Sequence, residues 1–147
     1  QKPLPHPNAE ERTCAAVCHI VSIFFPYAGP AFFYFVRGKS KFVALHAAQA
    51  FFEALVLSIV LLFAGAISLF FSLRKVWELV ETRGASFSWD LVWTTLLKAG
   101  ATWVILALIG GYYLIASIFD ALGALRGNWS PSLISGRLAK RLVLKNS

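Results

Sequence analysis

The chain has 147 residues, of which 58% are hydrophobic, 15% aromatic and 14% charged, with a formal net charge of +7. An ordinary soluble domain carries about 25% charged residues, and one small core cannot bury so much apolar surface. The composition therefore excludes a typical soluble domain and predicts an all-α membrane protein. Lys and Arg lie in short clusters at the ends of apolar blocks, without the basic stripe of a nucleic-acid-binding protein. We expect no nucleic-acid partner.

The N-terminal residues 1–12 are predicted to form an extended tail, because three prolines within the first eight residues fix the backbone. Asn8 and Glu11 have the spacing of a capping box, so a helix is expected to begin near the end of this tail. A helical transmembrane domain is then expected over residues 13–127, and a basic amphipathic tail over residues 128–147.

The first apolar block, residues 13–36, is long enough at about 1.5 Å per residue to cross a hydrocarbon core of about 30 Å. Pro26 and Pro30 interrupt it. Each proline removes a helical hydrogen bond where no water can replace it, so the first of three predicted spans is expected to be kinked.

The second block, residues 42–73, follows a short basic turn and is longer than a bilayer requires, so it must tilt, kink near Gly65 or project into water. Within it His46, Gln49 and Glu53 lie at i, i+3 and i+7, in an arc of about 60° on one helix face. Such polar groups inside a span face a partner or a cavity. They are interpreted as a hydrogen-bonded helix contact or, alternatively, as the lining of a pathway or partner site.

The third span is predicted over residues 90–122, after a polar stretch that continues the second helix towards Gly84. Ala107 and Gly111 have the small-xxx-small spacing that allows close helix packing. Asp120, near the end of this span, is expected to hold the spans in register through a hydrogen bond to His46 or through an ion pair with one of the basic residues of the turn, Arg37, Lys39 and Lys41.

The C-terminal tail alternates leucines with basic residues, a pattern suited to the surface of an anionic membrane; the basic residues are Arg137, Lys140, Arg141 and Lys145. In a three-span topology the turn and this tail lie on the same side, which then has more Lys and Arg than the other. The positive-inside rule predicts a cytoplasmic or stromal C-terminus. The membrane is expected to be a bacterial or an organellar inner membrane.

Few residues point to chemistry. Cys14, Cys18 and His19 form a C-x-x-x-C-H pattern, one residue longer than the haem c attachment motif. Buried thiols at a helix interface are the alternative interpretation. No motif of a hydrolase, metalloprotease or phosphate-binding loop is present, so the protein is expected not to be an enzyme. Neither a metal nor a cofactor is predicted, and His19 and His46 are the candidates if a haem or a chlorophyll-type pigment is bound.

Three segments carry a resemblance to a known family: residues 16–19 (AVCH), residues 42–50 (FVALHAAQA), and residues 124–131 (ALRGNWSP) with Leu133 to Ser135. In this order they resemble the chloroplast inner-envelope import protein of about twenty kilodaltons (Tic-twenty-like) and its bacterial relatives of unknown function. The resemblance implies a component of a protein-conducting membrane complex.

The sequence as a whole predicts a small, non-enzymatic, multi-pass subunit that packs into a larger membrane complex, resembling translocation components. Its expected partners are other membrane proteins and anionic lipids. Two alternatives stay open. One is an accessory subunit of a respiratory or photosynthetic complex, and the other is an oligomeric transporter or channel, for which broken helices often form the pathway.

Overall fold

A computed structural model describes residues 5–81, 88–129 and 135–144 of the chain. Within these ranges the regular structure is entirely helical, with α1 at Ala9–Phe24, α2 at Ala28–Arg37, α3 at Lys41–Glu81, α4 at Trp89–Leu125 and α5 at Ser135–Leu144. The predicted all-α class is confirmed.

Helix α1 begins inside the segment that was predicted to be an extended tail. The Asn8 side chain accepts a hydrogen bond from the Glu11 amide at 2.8 Å, and the Glu11 carboxylate accepts one from the Asn8 amide at 2.8 Å. This is the capping box that the sequence predicted, and it satisfies two amide groups that the first helical turn leaves unpaired. The helix therefore begins at Ala9, four residues before the predicted block.

The first apolar block is two helices with a break between them, which corrects the prediction of one kinked span. α1 ends at Phe24, Pro26 lies in the break, and Pro30 lies in the first turn of α2, where its missing amide costs no helical hydrogen bond. The helices have 16 and 10 residues. At about 1.5 Å per residue neither crosses a hydrocarbon core of about 30 Å.

α1 and α2 contact each other closely at the break. The Gly29 amide donates to the Phe25 carbonyl at 3.0 Å, so the break still satisfies backbone groups. A Cβ atom at Gly29 would lie 2.8 Å from Cγ1 of Val21, closer than side chains normally approach. The absence of a side chain at Gly29 is therefore what allows the two helices to pack at this point.

Helices α3 and α4 have 41 and 37 residues. They contain the two segments of the described chain that are long and apolar enough to cross a membrane, Lys41–Glu78 and Val92–Leu125. The predicted first span is not among them, so a count of three spans is not confirmed. α3 passes through Gly65 without interruption. Gly84, the predicted stop of this helix, lies among the residues that are not described.

The chain divides into two compact units. The first comprises residues 1–56 and 112–147, and the second comprises residues 57–111. The first unit has a core made largely of alanines that allow close helix approach: Ala15, Ala16, Ala47, Ala48, Ala121, Ala124 and Ala139. In the second unit large apolar side chains are exposed instead.

The C-terminal end of α4 positions part of the first unit's core. Gly127 has a φ of 74°, a conformation that glycine adopts without strain. Its amide donates to the Ala124 carbonyl at 2.9 Å, and the Asn128 amide donates to the Gly123 carbonyl at 3.0 Å, which together form a Schellman cap. The chain then turns back, and the Trp129 ring packs against Phe42 at a centroid distance of 5.0 Å.

Candidate functional site

Two buried histidines from different helices meet in the first unit. Nε2 of His19 in α1 lies 3.1 Å from Nδ1 of His46 in α3, and Nε2 of His46 lies 3.2 Å from the carbonyl oxygen of Asn128. A carbonyl only accepts, so Nε2 of His46 must carry a proton. A neutral imidazole has one donor and one acceptor, so Nδ1 of His46 accepts from Nε2 of His19. Nδ1 of His19 is then left with a lone pair.

A second group of polar side chains lies beside these rings. Glu53 accepts hydrogen bonds at Oε1 from the Gln49 amide at 3.1 Å and from the Ser135 hydroxyl of α5 at 2.8 Å. A carboxyl oxygen of Asp120 in α4 lies within 4.8 Å of a carboxyl oxygen of Glu53. Carboxyl groups this close repel each other when both are ionised, and a proton or a cation between them removes the repulsion. Four helices thus contribute to one polar cluster, defined here as His19, His46, Gln49, Glu53, Asp120 and Ser135.

The cluster contains a set of atoms that could hold a metal ion. One ring nitrogen of His19 and one carboxylate oxygen each of Glu53 and Asp120 lie within 4.8 Å of one another. Among the described residues, Nδ1 of His19 and Oε1 of Gln49 are buried and have no hydrogen-bond partner. Buried polar atoms are normally paired, so these two indicate that the cluster is arranged around something more than its own hydrogen bonds.

The polar stripe that the sequence predicted does form the centre of this cluster, and Asp120 does reach it. Of the predicted partners of Asp120 in the basic turn, Arg37 forms its ion pair with Glu10 instead, at 2.7 Å. Lys39 and Lys41 are exposed.

Sequence reasoning missed two members of the cluster. His19 was considered only as a haem or pigment ligand, and Ser135 was not considered at all. The signal for His19 was its position on the buried face of α1, which shares the spacing of Ala15, Cys18 and Ser22. No sequence signal links Ser135 to Glu53, because the contact joins positions 82 residues apart.

The remaining predicted positions are spread over both units. The two cysteines are free thiols, with Cys18 buried against Ala47 and Ala50. In α5, Arg137 and Arg141 are exposed and Lys140 is half-buried, whereas Lys145 is outside the described ranges. Ala107 and Gly111 of α4 are exposed, and a Cβ atom at Gly111 would meet nothing described within 4 Å. The small residues therefore have no packing partner in the described part of this chain.

A separate cavity of about 740 Å³ lies within the second unit. Its charged groups are largely paired with one another, since Glu78 contacts Arg74 at 3.3 Å and Lys75 at 2.6 Å. Lys98, two serines and three threonines complete its polar lining. We regard the buried cluster of the first unit as the better candidate site, because its polar atoms are held in place by several helices.

Comparison with known protein families identifies the chain. The profile of the MamF/MmsF family, described as the magnetosome magnetite crystal formation protein family, matches residues 10–138. The chain belongs to the MamF/MmsF family. Comparisons with curated proteins and with solved structures found no match. The matched region of this MamF/MmsF chain includes all members of the polar cluster.

This finding overturns the resemblance to the Tic-twenty-like import family, which was wrong. The segments on which it rested are short and mostly apolar, and membrane helices of unrelated families share such compositions. Membership in MamF/MmsF, together with the two long apolar helices, supports membrane localisation. A small membrane subunit is compatible with this family, whereas a component of import machinery is not.

Proposed function

We propose that this protein is a non-enzymatic subunit of the magnetosome membrane, and that it contributes to magnetite crystal formation by packing with other membrane proteins. The family description supports the process. The observation that carries the packing role is the exposure of α3 and α4, since only 6% of the most apolar window of each candidate span is buried within the chain. Lipid or other proteins must cover the rest.

The exposed surface of α4 has both large aromatic side chains and glycines that a partner helix could contact. Trp103 is 71% exposed and Tyr112 is 75% exposed. Nearby, no described atom comes within 4 Å of the position that a Cβ would take at Gly100 or Gly111. In a bilayer, helix association depends on close backbone approach, which small residues permit. We therefore propose that the Ala107 and Gly111 face receives a helix of another membrane protein.

The topology is part of the same proposal. Helix α5 buries Ser135 and Ala139 and exposes Arg137 and Arg141, so its cations are available to lipid headgroups. We place α5 and the C-terminus on the cytoplasmic side, against anionic lipid, in agreement with the positive-inside rule. A fluorescent-protein or phosphatase fusion at residue 147 tests this placement, since phosphatase activity would put the C-terminus on the opposite side.

Haem or pigment binding is not part of the proposal. The His19 and His46 rings contact each other edge to face, with centroids 5.3 Å apart, which leaves no room for a macrocycle between them. The transporter alternative is also not adopted, because His46 and Gln49, which would line its pathway, are buried, and Gln49 donates its amide hydrogen bond to Glu53.

The experiment compares variants of the packing face in a magnetosome-forming cell that lacks its own copy of the protein. Gly111→Leu should reduce co-purification of membrane partners in mild detergent, and it should alter crystal size measured by electron microscopy. Ala101→Leu, an exposed position on another face of α4, is the matched control and should behave as the wild type. Wild-type behaviour of Gly111→Leu in both measurements would refute the packing proposal.

A further inference from the structure

We propose that His19, Glu53 and Asp120 form a binding site for a first-row divalent transition-metal ion. The site lies in the first unit, where α1, α3 and α4 each contribute one ligand. This inference goes beyond the packing function proposed above and does not depend on it, because the packing face is on a different part of α4.

The His19 ring is oriented by a chain of hydrogen bonds. The hydrogen bonds from Nε2 of His19 to His46, and from His46 to the Asn128 carbonyl, leave Nδ1 of His19 as a buried lone pair. Metal-binding histidines typically donate their other ring N–H to a carbonyl, carboxylate or similar acceptor, which fixes the tautomer. His46 and Asn128 supply such a support to His19 before any ion is bound.

The three ligands bring two acidic groups together in a partly buried place. His19 is 0% exposed, and the carboxyl groups of Glu53 and Asp120 are only partly exposed. Two adjacent carboxyl groups repel each other unless a proton or a cation lies between them. Arg37, one of the predicted cationic partners of Asp120, is engaged by Glu10 instead. A divalent ion would neutralise both carboxylates at once.

Neighbouring polar side chains support the ligands. Gln49 is 1% exposed; its amide nitrogen donates to Glu53, and its Oε1 is buried without a described partner. The Ser135 hydroxyl donates to the same Glu53 oxygen. Hydrogen bonds that orient a ligating carboxylate are a regular part of metal sites. Two hydrogen bonds from the protein thus orient the Glu53 carboxylate at Oε1.

The donor set indicates the class of ion. One imidazole nitrogen with two carboxylate oxygens suits ions such as Fe²⁺, Mn²⁺ or Zn²⁺, and it is less typical of Cu⁺, which prefers sulfur ligands. Ligands at about 2.1 Å from a tetrahedral ion are about 3.4 Å apart, so side-chain adjustments of about 1 Å would close the present set. The metal of magnetite, iron, is within this class.

The test uses the full chain without a histidine tag, purified in mild detergent and freed of metal with a chelator. Co²⁺ is the probe, because its visible absorption reports coordination, and metal analysis after desalting gives the stoichiometry. We expect one Co²⁺ per chain, displaced by Zn²⁺. Glu53→Gln and Asp120→Asn should each weaken binding at least tenfold, as loss of a ligand should exceed the effect of losing a supporting hydrogen bond.

Matched controls separate this site from adventitious binding. Glu10→Gln removes an exposed carboxylate of α1, and His6→Gln removes an exposed imidazole, so both should bind Co²⁺ as the wild type does. Helical circular dichroism checks that each variant is folded. If a ligand variant does not fold, a second measurement tests the site without it. Zn²⁺ should raise the unfolding temperature of the wild type and of Glu10→Gln. The proposal is overturned if the wild type takes up no Co²⁺, or if folded Glu53→Gln and Asp120→Asn bind it with unchanged affinity.

Discussion

His19 and His46 form a buried hydrogen bond of 3.1 Å between Nε2 of the first and Nδ1 of the second, which joins α1 to α3. The bond has a direction, because His46 must donate its own N–H to the Asn128 carbonyl. The end of α4 thus determines which nitrogen of His19 is free. These two hydrogen bonds connect α1, α3 and the segment that follows α4, and His46 takes part in both.

Replacing His46 with Phe should destabilise the first unit and loosen the control of the His19 tautomer. The variant keeps an aromatic ring beside Phe42 but leaves the His19 N–H and the Asn128 carbonyl without their partner. Leaving buried groups unpaired costs about 1–3 kcal/mol each, so the free energy of unfolding in detergent should fall by at least about 1 kcal/mol. Co²⁺ affinity should fall about 10–100-fold, as for other supporting residues. His6→Phe, in the exposed tail, should change neither quantity.

Gly127→Ala should destabilise the chain end that follows α4. The φ of 74° is unfavourable for alanine, and the new Cβ would lie 3.3 Å from Cγ of Pro7. We expect a loss of about 1 kcal/mol or more in the free energy of unfolding. The control is Gly123→Ala in the last turns of the same helix, where a Cβ meets nothing within 4 Å and should be neutral or stabilising. Equal stability of the two variants would contradict the assignment of the Schellman cap.

Gly29→Ala should disturb the packing of α2 on α1, because the new methyl group would overlap Cγ1 of Val21. Overpacking of this kind costs about 1–3 kcal/mol. Val21→Ala removes the overlapping atom. Gly29→Ala should therefore cost less stability in the Val21→Ala background than in the wild type. Thermal unfolding of the four proteins gives the coupling energy, and purely additive effects would show that the two residues do not meet.

Asn8→Ala should fray the start of α1, because the first turn loses the acceptor for the Glu11 amide. The expected cost is about 0.5–2 kcal/mol. Glu11→Gln is the control, since glutamine can also complete a capping box. Hydrogen exchange of the α1 amides should increase in Asn8→Ala and remain near the wild-type rate in Glu11→Gln. Unchanged exchange in Asn8→Ala would argue against a role of the box in beginning the helix.

Local features of this protein were predictable because their causes are local. The capping box at Asn8 depends on residues three positions apart, and the amphipathic α5 depends on a repeat of apolar positions. The break between α1 and α2 was only partly predictable from local sequence. Pro26 and Pro30 predicted an interruption, but whether the helix kinks or divides depends on the packing of Gly29 against Val21, which involves two different helices.

The family could not be obtained from the residues that first suggested one. Short segments such as FVALHAAQA are compatible with many membrane helices, because apolar side chains meet the demands of lipid in any family. A match over residues 10–138 combines many weak positions and therefore distinguishes families that a few short segments do not.

The sequence by itself determined that the chain is helical and apolar enough for a membrane, and it placed His46, Gln49 and Glu53 on one helix face. These properties follow from composition and from the fixed period of a helix. Only the tertiary structure decided what that face meets: His19 from α1, Asp120 from α4 and Ser135 from α5. Contacts between residues distant in the chain depend on how helices pack, and helical periodicity carries no information about which helix lies opposite.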